Sequence, residues 1–227
     1  MSRILILRPQ PGADRTAERA RQLGLSPVVH PLFAPETLDW PAPPVQDFDA
    51  LLLTSANGAR CAGPALKAYR GLPTYAVGQA TADALHAAGW DDVAAGDKDG
   101  SAIAARIARD GHRRVLHIAG TTVAPIEAGP LAITRIAVYH MAALPSDPAL
   151  IAATTPGAIL LVHSPRAGEQ LAAQMPQSRR GALHLIAISA NVLVACGDGW
   201  ASAACPPRPD DDEMLALARA LCEGQQQ

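Results

Sequence analysis

Chemistry in this chain of 227 residues must come from a short list of side chains. Ser55, Ser164 and Ser189 each close an apolar run and open a helical one, as in LLLTSANGARCAG from Leu51 and LLVHSPRAGEQLA from Leu160. A serine at such a turn can cap its helix, and the helix N-terminus offers backbone N–H groups and a positive dipole end to anions. Either role alone fits the residue type. Arg8 and Arg166 also follow apolar runs near helix starts, where a guanidinium can meet a carboxylate or lie in solvent. His140 and His163 carry the group best matched to acid–base work near neutrality. The seven histidines are dispersed, however, and no His or Cys pair has metal-ligand spacing, so no metal is expected. Neither a GxGxxG nor a GxxxxGK(S/T) run occurs, which removes the usual signatures of nucleotide-dependent enzymes.

Composition narrows the classes further. The net charge is −2, from 19 basic and 21 acidic residues, and the only lysines are Lys67 and Lys98. Nucleic acid would require a basic face, and none is legible. Hydrophobic residues at 49% and charged residues at 18% suit a folded globular chain. No stretch approaches the roughly 18 apolar residues of a membrane helix, and MSRILILRPQ has no secretory h-region. Cys61, Cys196, Cys205 and Cys222 form no CxxC pair and read as reduced thiols. A cytoplasmic location is the expectation. The acidic run Asp210–Asp212 precedes a helical pattern and reads as a helix N-terminus favoured by the macrodipole.

The elements that must position these residues alternate along the chain. Arg3–Leu7 is an apolar run, Asp14–Leu23 has helical spacing stopped by Gly24, and Pro27–Phe33 is extended, making one β-α-β unit. Pro35, Pro41, Pro43 and Pro44 mark a connector. Strand and helix patterns then follow in turn: 50–54, 57–68, 74–77, 80–88, 101–109 and 114–118. A strand at 133–140 leads to a second connector at Pro145 and Pro148, and a further series runs from a strand at 158–163 to a helix at 213–222. Alternation of this kind predicts an α/β fold with parallel sheets covered by helices. Residues 224–227 are expected to be disordered.

The chain also echoes itself. Besides the two strand–serine–helix runs, LPTYAVGQATADAL from Leu72 matches LHLIAISANVLVAC from Leu183, and both lead to Gly-Trp, at Gly89-Trp90 and Gly199-Trp200. A long repeat occurring twice points to two similar domains facing each other across a cleft rather than to a solenoid.

These runs, in order, resemble the uroporphyrinogen-III synthase family: the strand into Arg8-Pro9, TSANGA at Thr54–Ala59, YAVGQATADAL at Tyr75–Leu85, VLHIAG at Val115–Gly120, AVYHM at Ala137–Met141, HSPRAG at His163–Gly168, and the acidic segment before LALARAL. The resemblance spans almost the whole chain. It departs at Ser189-Ala190-Asn191, where the family has a Gly-x-Thr-Thr turn, and at Thr121-Thr122-Val123, where the family often carries a polar or basic residue. The resemblance implies two α/β domains joined by a two-stranded ladder near residues 30–34 and 135–141. Residues 1–34 with 144–227 would form the first domain and residues 35–143 the second.

The activity so implied is closure of hydroxymethylbilane to uroporphyrinogen III, with loss of water and inversion of the last pyrrole ring, without cofactor. The substrate would be handed over from hydroxymethylbilane synthase, and the protein would act as a monomer. Because that substrate bears many carboxylates yet must fold back on itself, backbone donors suit it better than an arginine cage. On this reading Ser55, Ala56, Gly78, Gln79, Thr81, Ser101, Gly120, Ser164 and Ser189 line the cleft at the C-terminal ends of strands. Arg8 and Arg166 are the candidate carboxylate contacts. Tyr139 stands where the family has a tyrosine proposed to help the hydroxyl leave, and a phenol keeps its proton at neutral pH and can act as a weak acid. Side chains alternate across a strand, so His140 should point away from Tyr139. A two-lobed cytoplasmic sensor of small molecules is the rival reading of the same architecture.

Overall fold

The structure, a computed structural model, describes residues 3–96 and 99–224. Residues 225–227 of the expected tail lie outside the described residues. The chain opens with β1 (Arg3–Ile6), α1 (Gly12–Gln22), β2 (Ser26–Val29) and β3 (Phe33–Thr37). Helix α1 buries Ala13, Thr16, Ala17 and Ala20, a stripe at helical spacing. Strand β3 contains Pro35, which the proline pattern assigns to a connector. Because β3 is an edge strand, the missing N–H is tolerated there.

Next come β4 (Ala50–Leu53), α2 (Ala56–Cys61), β5 (Thr74–Val77), α3 (Gln79–Ala87), β6 (Ala94–Gly96), α4 (Gly100–Arg109), β7 (Arg114–Gly120) and β8 (Ala132–Ala143). The single helix expected over 57–68 is broken: α2 ends at Cys61, Gly63 takes φ 65°, and Pro64 opens a 3₁₀ turn through Tyr69. That φ suits glycine, and proline starts a helical turn more readily than it continues one. The chain closes with α5 (Pro148–Ala153), β9 (Ile159–Val162), α6 (Pro165–Gln174), α7 (Gln177–Arg180), β10 (His184–Ala187), α8 (Ala190–Ala195), β11 (Ser202–Ala204) and α9 (Asp211–Gly224).

Two compact units result, one of residues 1–34 and 143–227, the other of residues 35–142. The first holds a parallel sheet ordered β11-β10-β9-β1-β2. The second is ordered β3-β8-β7-β4-β5-β6, with β8, β7, β4, β5 and β6 parallel. Its central strands are buried on both faces. Leu51, Leu53, Leu116 and Ile118 pack with Leu66, Tyr69 and Leu85, whereas Ala50, Leu52 and Val115 pack with Ile103, Ala104 and Ile107 of α4. Burial on both faces is why these strands read as unbroken apolar runs. No helix among the described residues is long and apolar enough to cross a membrane.

Candidate active site

In the 35–142 unit, the C-terminal ends of β4, β5 and β7 open onto a cavity of about 520 Å³. It is lined by Thr54, Ser55, Val77, Asp99, Gly100, Ser101, the segment 122–126 and Tyr139. This is the edge at which open parallel sheets receive ligands. Another hollow of about 450 Å³, among Arg70, Thr74 and Trp90, lies at the N-terminal end of β5 and gathers none of the expected site residues.

Tyr139 reaches the cavity through an irregularity in β8. Arg114–Ala119 pair one-for-one with Ala132–Ala137, but Gly120 faces Tyr139, leaving Val138 as the extra residue of a β-bulge. A bulge breaks the alternation and re-aims the following side chain. Val138 and Tyr139 are accordingly both buried, at 0% and 8% exposure. His140, next along, turns to Glu36 on β3, with Nε2 3.5 Å from Oε2. Gly120 supplies the space: a Cβ there would stand 2.8 Å from Cζ of Tyr139. Gly120, expected to line the cleft, stands apart from the described lining, and its part here is steric, since any side chain would displace the phenol.

The hydroxyl groups around the cavity are held in different ways. Ser55 is the N-cap of α2 and accepts from the Asn57 amide at 3.2 Å. Ser101 is not a cap: Asp99 caps α4, accepting from the Ala102 amide at 2.9 Å, while Ser101 Oγ accepts from the Glu127 amide at 3.0 Å and ties the segment after β7 to α4. Thr54 and Asp99 also line the cavity and are not among the residues expected there. Thr54 lies immediately before Ser55 in a run already singled out, and Asp99 lies two residues before Ser101. Thr54 Oγ1 lies 3.0 Å from Nε2 of His117, which is 1% exposed. Burial, assisted by the Arg135 charge, pushes the pKa of His117 down to about 4.

Four other expected residues of this unit stand apart from the lining. Ala56 is buried in the first turn of α2. Gly78, at φ 77°, donates its N–H to the Gly96 carbonyl at 2.7 Å, so that amide is already committed. The Gln79 side chain donates to Asp83 at 2.8 Å, and Thr81 is 4% exposed on the inner side of α3.

Ser164, Ser189, Arg8 and Arg166 belong to the other unit. Ser164 caps α6, accepting from the Ala167 amide at 3.2 Å, whereas Ser189 precedes α8 with no side-chain cap bond. The Arg166 guanidinium lies over the Phe33 ring at 4.8 Å. Arg8 faces Asp211 at 3.4 Å and donates to Thr16 at 3.3 Å. Burial lowers the Arg8 pKa, and Asp211 opposes that only in part. Asp211 gathers more than Arg8: it lies 2.8 Å from His163 Nε2 and accepts from the Thr16 hydroxyl at 2.8 Å. Burial disfavours its charge, but these bonds and the Arg8 charge outweigh that and hold its carboxyl below the ordinary range. The acidic run is therefore divided in its work, Asp210 capping α9 through the Asp212 and Glu213 amides and Asp211 reaching across to Thr16 of α1 and to His163 just after β9.

The sequence matches the family described as Uroporphyrinogen-III synthase HemD over residues 14–216. No curated protein matches it significantly. Among solved structures it is similar to the uroporphyrinogen-III synthetase of Helicobacter pylori 26695, with 16% identity and a TM-score of 0.62 over 97% of this chain and 100% of that one. It also aligns with the uroporphyrinogen III synthase of the extremely thermophilic bacterium Thermus thermophilus at 17% identity and a TM-score of 0.44, covering 100% of both chains. The first likeness carries the fold, parallel sheets flanked by helices; the family match, extending over most of the sequence, carries the membership. The chain belongs to the uroporphyrinogen-III synthase family, whose members are cyclising lyases of tetrapyrrole biosynthesis.

Proposed function

We propose that this protein closes hydroxymethylbilane to uroporphyrinogen III and that the terminal hydroxyl leaves in the cavity around Tyr139. The observation that carries this placement is the bulge at Val138, which with Gly120 brings the phenol of Tyr139 into a cavity whose lining includes Thr54, Ser55 and Ser101. The electron-rich pyrrole pushes the hydroxyl off, which takes up one proton from solvent and leaves as water, giving an azafulvene cation; the proton is returned when the last ring loses one from its α carbon on final closure. Tyr139 adds a pull by donating a hydrogen bond to the departing oxygen. The substituted carbon of the last ring then attacks, and a spiro intermediate forms, fragments and recloses with that ring inverted. No electrons are gained or lost overall, so the chemistry asks for no redox cofactor. Among the described residues of the lining Asp99 is the one acidic side chain, and it favours the cationic stages electrostatically.

Arg8, Ser164, Arg166 and Ser189, together with Ala56, Gly78, Gln79 and Thr81, are proposed as further substrate contacts. The same reading brings hand-over from hydroxymethylbilane synthase, action as a monomer, and a cytoplasmic setting. The test is to incubate the pure protein, without additive, with freshly generated hydroxymethylbilane and to resolve the product isomers. Type III product is expected. Type I product alone, from protein shown to be folded, overturns the reading and leaves that of a two-lobed small-molecule sensor.

A further inference from the structure

Beneath the cavity lies a polar pair that the reaction as outlined does not use. His117 sits in the middle of β7, and Leu52 of β4 is its partner in register. Thr54 follows Leu52 by two residues and so projects from the same face. On that face Leu52 and Val115 pack against Ile103, Ala104 and Ile107 of α4, while the β8 residue in register with His117 is the exposed Arg135. An imidazole in such a layer carries a desolvation cost that a leucine would not. Its Nε2 meets the hydroxyl of Thr54, a residue of the cavity lining, at 3.0 Å.

We propose that His117 is a positioning residue, whose ring holds the Thr54 hydroxyl in one orientation at the base of the cavity, ready for the polar edge of the reacting pyrrole. The proposal rests on the reading of this cavity as the site of bilane closure. A free threonine hydroxyl rotates, and a fixed partner removes that freedom before the substrate arrives. The ring does this in either tautomer, accepting from Oγ1 or donating to it. With its pKa near 4, it does so uncharged at neutral pH, and an uncharged ring adds no repulsion beneath an azafulvene cation.

The experiment is a double-mutant cycle on type III formation, with folding of each variant checked by circular dichroism. Loss of one oriented hydrogen bond should lower kcat by about 3- to 10-fold in Thr54→Val and in His117→Phe, with KM changed by less than about 2-fold. The double variant should be no slower than Thr54→Val alone, because His117 acts only through that hydroxyl. His117→Gln, whose amide can reach Oγ1, should recover to within about 2-fold of the wild-type rate. Losses that multiply in the double variant, or a wild-type rate in His117→Phe, overturn the proposal, since a residue that merely fills the core would slow both backgrounds alike or neither. A readout without turnover separates this failure from that of the underlying reading: Thr54→Val should move the ring ¹⁵N resonances of His117, and unchanged resonances overturn the pairing even if His117→Phe does not fold. Type I product alone from the wild-type protein overturns the assignment of the cavity, and the proposal with it.

Discussion

The phenol of Tyr139 lies across the end of β7 only because residue 120 has no side chain. Its contribution to rate is bounded by the chemistry, since the substrate's own pyrrole drives the hydroxyl away and the enzyme supplies a pull. General acids contribute about 10² to 10⁴, and a hydrogen bond alone contributes less. Tyr139→Phe should therefore slow turnover by roughly 3- to 100-fold without abolishing it, and type III product should persist beside type I from uncatalysed closure. Wild-type turnover in this variant would return Tyr139 to a packing role, and complete loss with the fold intact would give it a larger one. His117 supports a second expectation, about stability. Its folded-state pKa of about 4 lies below the ordinary 6.5, so between those values the unfolded chain takes up a proton there that the folded chain does not. The associated stability is fully present above pH 6.5 and falls as the pH drops toward 4, by up to roughly 3 kcal/mol. Urea unfolding of wild type and His117→Gln across this range should show a shallower fall in the variant, and parallel curves would contradict the buried neutral ring.

The internal echo is visible as one repeated device. Gly89 and Gly199, at φ 92° and 86°, each turn the chain into a tryptophan, and each tryptophan lies beneath an arginine, Arg70 over Trp90 and Arg180 over Trp200, both at 5.2 Å. The two copies are not of equal weight. Arg180 is 8% exposed and donates to the carbonyls of Ala172, Met175 and Asp198 at 2.6, 3.2 and 3.1 Å, whereas the exposed Arg70 donates to Ala88. Removing Arg180 leaves several carbonyls without their donor in a packed loop. Arg180→Ala should thus lower the unfolding free energy by about 2–4 kcal/mol, and Arg70→Ala by less than about 1 kcal/mol. Equal losses in denaturant titrations would show that stacking on tryptophan, and not satisfaction of the carbonyls, sets the cost.

Two units share this chain unequally, one continuous and one assembled from both ends. Strand β1 lies between β9 and β2, so the N-terminal segment has no sheet of its own without the C-terminal third. A fragment of residues 35–142 should therefore melt cooperatively by circular dichroism, whereas a fragment of residues 1–34 should show no transition; a non-cooperative 35–142 fragment would show that this unit depends on the rest. Much of the architecture could be read from the chain because its causes are local. The strand at Thr74–Val77, the helix following Gly78 and the serine caps at Ser55 and Ser164 arise from hydrophobic period and turn chemistry within a few residues. Family membership was legible for a related reason, since order and spacing of motifs survive where no single motif is specific. Contacts between distant strands were not legible. The extra residue at Val138 that aims Tyr139, the meeting of His117 with Thr54, and the grip of Asp211 on Thr16 and His163 depend on register and packing between segments far apart in sequence. Periodicity states which face a residue takes on its own element. Which residue of another element stands opposite is settled only when the sheets close and helices dock, so the tertiary structure alone decided how the cavity's hydroxyls, its phenol and its buried imidazole came together.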